Sequence, residues 1–127
     1  MRGLLRGITL SEAEKGNLQA VRQKHESQFR AIRQSMRPDL EAARAARQRG
    51  DTAAARAAFA RTADERAQLK ALTERMHADA RVALAPEHRA QFDANVARMK
   101  ERMAARGADS WGGRGGRKGD GRRNRRA

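Results

Sequence analysis

Residues Leu84 to Met103, LAPEHRAQFDANVARMKERM, constrain the fold more than any other stretch, because a helix start signal runs directly into an amphipathic pattern. Pro86 stands where a first helical residue would, since its missing N–H is unpaired there in any case and its fixed φ already suits a helix. Behind it Phe92, Val96, Met99 and Met103 follow at steps of four, three and four, which puts them on one stripe of a helix. An apolar stripe of this kind needs a partner surface.

A related signal stands near the front, in Leu10 to Glu14, LSEAE. Ser11 can accept from the N–H of Glu14 while the Glu14 carboxylate reaches back to the N–H of Ser11, a capping box. Both copies read as Leu, a small residue, two further residues and a polar residue, here Leu10, Ser11 and Glu14, then Leu84, Ala85, Pro86, Glu87 and His88. The arrangement resembles the twice-repeated L-T-x-x-Q motif of the Spy/CpxP family, small helical proteins of the bacterial periplasm. The resemblance extends from Leu4 to Arg106. Ser11 and Glu14 replace Thr and Gln in the first copy, and Ala85 and His88 replace them in the second. Ala85 has no side-chain acceptor, which costs about 1 kcal/mol of capping, and Pro86 with Glu87 offsets only part of that.

Between these signals the periodicity predicts four helices. The first runs from Glu12, with Leu18, Val21, His25, Phe29, Ile32 and Met36 on one stripe, and is expected to stop near Arg37 because Pro38 disfavours helical geometry before it and removes a ladder bond. Pro38 then opens a short helix to Arg49. Gly50 reads as a C-terminal cap and Asp51 as the next N-cap. A third helix is expected from Thr52 to Ala83, alanine-rich in its first half and able to approach a neighbour closely, and a fourth from Pro86 to about Ala105. The lead-in before Thr9 holds Leu4, Leu5 and Ile8 among two glycines and is expected to be loosely held. The expected fold is all-α, a four-helix antiparallel hairpin-like bundle over residues 1–106, followed by a tail over 107–127.

Aromatic residues are only 3% of the chain and much of its apolar content is alanine. Burial contributes about 25 cal/mol per Å² of apolar surface, and alanine offers little, so a lone hairpin would be marginal and a homodimer is expected. The formal net charge of +14 predicts attraction to polyanions, anionic surfaces and acidic polypeptides. With no cysteine there is neither a disulfide nor a thiolate site. No run of about 18 apolar residues suited to a membrane span occurs, and residues 1–10 are too short and polar for a complete secretory signal, so the family resemblance implies that a signal peptide has been left out of this sequence or lies upstream of Met1.

The tail, GADSWGGRGGRKGDGRRNRRA, has no apolar period and is expected to be disordered. Its Arg114, Arg117, Lys118, Arg122, Arg123, Arg125 and Arg126 beside Trp111 suit contact with the phosphates of single-stranded nucleic acid, although one Trp makes no stacking platform. No phosphate loop, nucleophile motif or apolar-set carboxylate pair points to an enzyme, and no cofactor is expected. His25, His77 and His88 include no pair at metal-binding helical spacing, so they read as a half-buried histidine and two surface ones, with a shared metal site as the alternative.

The resemblance implies a cradle-shaped dimer acting as an ATP-independent periplasmic chaperone for unfolded or acidic client proteins. Phe29, Ile32, Met36, Phe59 and Met76 with Arg44, Arg47, Arg56 and Arg61 are the candidate client surface, against the plainer assignment of the five apolar residues to the core. A stress regulator with a sensor-protein partner, a zinc-, nickel- or cobalt-responsive protein, and nucleic-acid binding through the tail are the alternatives.

Overall fold

The computed structural model describes the backbone of residues 2–111 and the side chains of residues 2–107. Among these, the chain is all-α: a 3-10 turn at Arg2–Leu5 is followed by α1 (Glu12–Gln48), α2 (Thr52–Ala60), α3 (Ala63–Ala83) and α4 (Pro86–Trp111). The chain divides into two units, one of Thr9–Arg89 and one that joins the residues up to Ile8 with those from Ala90 onward.

The Thr9–Arg89 unit is a helical hairpin in which α1 packs against both α2 and α3. Side-chain bonds joining His25 to Asp79, Ser35 to Glu65 and Asp39 to Arg61 pair rising numbers with falling ones, so the two arms run antiparallel. At its turn Gly50 has φ of 74°, its N–H donates to Arg47 O, and the Asp51 N–H donates to Ala46 O. These two bonds are the Schellman arrangement, and glycine adopts its left-handed residue at no steric cost. Asp51 then accepts from the Ala54 N–H at 3.0 Å and opens α2. Next to the turn the facing surfaces are alanine: Ala43 and Ala46 on α1, and Ala55 and Ala58 on α2, are all buried. Larger side chains, Leu18, Met36, Leu72 and Leu84, are buried farther along the unit.

Two expected boundaries are overturned. The break at Pro38 does not occur, and α1 continues through it for 37 residues, a length of about 55 Å at ~1.5 Å per residue. Pro38 is exposed, which leaves the unpaired Gln34 carbonyl near water, while burial of Met36 on one side and of Ala43 and Ala46 on the other holds the helix in register. Conversely, the single helix expected from Thr52 to Ala83 is divided at Arg61 and Thr62. The Thr62 hydroxyl donates to Phe59 O at 2.7 Å and its N–H bonds to the same carbonyl at 3.0 Å, which diverts that acceptor from the α-helical ladder. Thr62 is fully buried, and Arg66 Nε donates to its hydroxyl oxygen.

In the other unit the lead-in is held rather than loose. The Asn95 carboxamide donates to Leu4 O at 2.9 Å and to Arg6 O at 2.8 Å and accepts from Gln91 Nε2 at 3.0 Å, so its buried polar atoms are satisfied. Leu4 is buried, and Gly7, with φ of 78°, turns the chain beside the Gln91 side chain. Along the stripe of α4, Phe92 is buried, Val96 and Met99 are half-buried and Met103 is exposed. The helix extends to Trp111, past the end expected near Ala105. The tail cations Arg114, Arg117, Lys118, Arg122, Arg123, Arg125 and Arg126, and the disorder expected of the tail beyond Trp111, lie outside the described residues.

Candidate functional site

The two capping signals meet through one carboxylate. Glu14 Oε1 accepts from the Ser11 N–H at 3.2 Å while Ser11 Oγ accepts from the Glu14 N–H at 3.1 Å, the expected box. The other oxygen, Oε2, accepts from the Ala85 N–H at 3.1 Å and from His88 Nδ1 at 2.8 Å. A carboxylate can only accept here, so Nδ1 carries the proton of that bond. In a self-contained capping box the third helical residue would cover the Ala85 N–H; Glu14 does so from the other arm of the hairpin. The cap that Ala85 lacks is thereby replaced, and negative charge is placed at the start of α4 where the helix dipole favours it. The His88 bond, followed by those from the Ala85 and Ser11 amides, lowers the Glu14 pKa to about 2 despite the opposing effect of burial.

A second polar cluster crosses the hairpin. His25 Nε2 donates to Asp79 Oδ2 at 2.8 Å and Lys24 Nζ reaches the same oxygen at 3.1 Å, so Asp79 is held below its ordinary carboxylate range, first by His25 and then by Lys24. His25 is buried rather than half-buried, and its Nδ1 has no hydrogen-bond partner. His77, expected on the surface, is buried on α3, because Leu72, His77 and Ala80 together form the face turned inward. His88 alone of the three is partly exposed. His25 and His88 are thus each engaged by a different carboxylate, and among the described residues no group of three or more His, Asp or Glu side chains is placed to hold a metal ion.

The candidate client residues separate by burial. Met36 belongs to the core; Phe29, Ile32, Phe59 and Met76 are half-buried; Arg44, Arg47, Arg56 and Arg61 are exposed, and Arg61 pairs with Asp39 at 2.8 Å. Two arginines outside that set cover the aromatic rings. The Arg33 guanidinium lies 5.6 Å from the centre of the Phe29 ring, and that of Arg66 lies 4.2 Å from the Phe59 ring. The first pair has the four-residue spacing of helix neighbours, a signal that could have found it but was not used; the second spans the α2–α3 joint, which was not anticipated.

The profile of a family described as heavy-metal resistance matches residues 1–91. The chain belongs to this heavy-metal resistance family. The matched region contains the first capping box, the whole hairpin and the Glu14 bridge to His88. Membership agrees at the level of the broad helical group with the L-T-x-x-Q resemblance. No curated protein and no solved structure matches the chain. Among the described residues, no helix is long and apolar enough to cross a membrane.

Proposed function

We propose that this member of the heavy-metal resistance family acts in the periplasm as an ATP-independent chaperone of the Spy/CpxP kind, as a homodimer, holding unfolded or acidic polypeptides on a basic, partly apolar surface of the hairpin. The observation that carries the reading is the pairing of half-buried Phe29 and Phe59 with the guanidiniums of Arg33 and Arg66, on helices that also expose Arg44, Arg47 and Arg56. Charge of this sign draws acidic segments in over long range, and a shallow apolar surface holds them loosely enough for release. The test is light scattering from a denatured client diluted into buffer without ATP. The intact chain is expected to suppress the signal, and Arg44→Ala/Arg47→Ala/Arg56→Ala to lose several-fold in potency while retaining helical circular dichroism. Absence of suppression by the intact chain sinks the proposal.

Family membership favours a second reading, a metal-responsive stress protein in which His25 would offer a metal ion its unpartnered Nδ1 while Nε2 keeps its bond to Asp79. Titration calorimetry with zinc or nickel decides it. Stoichiometric binding abolished by His25→Ala supports this reading, and heats equal to those of buffer remove it. The sensor-protein partner and tail-mediated nucleic-acid binding remain subsidiary proposals; the latter rests on Arg114, Arg117, Arg122, Arg123, Arg125 and Arg126, outside the described residues.

A further inference from the structure

The unit built from the lead-in and α4 contains a cleft of about 320 Å³ lined by Gly3, Arg6, Asn95, Arg98, Glu101 and Arg102. Its walls are cationic. Arg98 and Arg102 stand one turn apart on the same face of α4, and Arg6 comes from the segment just after the 3-10 turn. None of the three guanidiniums is engaged in an ion pair or hydrogen bond among the described residues, and neither is the Glu101 carboxylate. Three cations against one anion leave two net positive charges around the space.

The position of Arg6 is built in. Asn95 is buried at 4% exposure and clamps the carbonyls of Leu4 and Arg6 itself, so the segment carrying the third guanidinium is tied to α4 one turn before Arg98. Bringing like charges together costs free energy unless an anion joins them. Planar guanidinium forks match tetrahedral oxyanions through paired N–H···O bonds, and two net positive charges match a dianion. The volume, at the lower end of small-molecule sites, has room for more than a bare ion.

We propose that this cleft binds a phosphate group, either as inorganic phosphate or as the terminal group of a small phosphate monoester, through Arg6, Arg98 and Arg102, with Glu101 opposing and thereby weakening the binding. Its residues are distinct from those of the client-binding reading.

The test is titration calorimetry on the full chain at constant ionic strength, with inorganic phosphate, glycerol 3-phosphate and acetate as probes. Saturable phosphate binding is expected, with acetate at least tenfold weaker. Arg98→Ala/Arg102→Ala should weaken phosphate at least tenfold, Glu101→Gln should tighten it several-fold, and Arg44→Ala/Arg47→Ala, which removes the same charge elsewhere, should leave it unchanged. Tighter binding of glycerol 3-phosphate than of inorganic phosphate identifies the monoester as the source of the group; the reverse order identifies the free ion. Equal losses in the two arginine double variants, an unresponsive Glu101→Gln, or no saturable phosphate binding would each overturn the proposal. The substituted side chains are exposed, and circular dichroism checks that every variant keeps its helices.

Discussion

Glu14 serves two helix starts with a single carboxylate, and its chemistry predicts a particular acid response. Its pKa is about 2 in the folded protein against an ordinary value of 4.5, so between those pH values the unfolded chain binds more protons. The stabilisation it provides is therefore complete above about pH 4.5 and is lost as pH falls toward 2. Glu14→Gln should unfold at a lower temperature than the parent at pH 7, and the gap should narrow as pH approaches 2. Asp79, shifted in the same direction, keeps some acid sensitivity in the variant. Thermal unfolding by circular dichroism at pH 7, 4 and 2.5 measures this, and a constant gap across the series would refute it. The Ser11–Glu14 half of the clasp was legible because its partners lie three residues apart. The half reaching Ala85, 71 residues away, was not, because nothing in local spacing specifies which distant amide a carboxylate meets.

At the scale of elements, the turn was readable from Gly50 and Asp51, since a left-handed residue followed by a capping aspartate is a local requirement. The two errors in helix extent have opposite causes. Pro38 weakens a helix intrinsically but lies on a solvent-facing position of α1, and burial on both sides of it outweighs the lost ladder bond. Thr62 carries no strong breaking signal, yet its hydroxyl redirects the bonding of Phe59 O once the residue is buried. It follows that Pro38→Ala should stabilise the protein by about 1–3 kcal/mol, because the replacement restores a donor to a helix that already exists. Chemical denaturation measures the change, and an unchanged or lower midpoint would mean that Pro38 is favoured where it stands. Ala46→Leu, by contrast, should cost about 1–3 kcal/mol by forcing apart surfaces that meet through alanines. The cleft on α4 was not legible: the spacing of Arg98 and Arg102 does not show that Asn95 ties Arg6 beside them.

For the whole molecule, a formal net charge of +14 makes association with acidic partners a long-range event, screened over about 8–10 Å at physiological salt. The rate of capture of an acidic client, followed by stopped-flow fluorescence, should fall several-fold between 50 and 200 mM salt, with the dissociation rate changing less; a salt-independent association rate would contradict electrostatic capture. The clasp at Glu14 also bears on how long the hairpin survives. Helical pairing beginning at the Gly50 turn can spread outward through contacts of steadily increasing loop length, so a bond closing 71 residues is the last to gain from that order. Interactions absent from the folding transition state act as brakes on unfolding. The bond from the Ala85 amide to Glu14 should therefore act as a latch on lifetime: breaking it is expected to leave the time needed to fold almost unchanged and to shorten the time for which the hairpin stays shut.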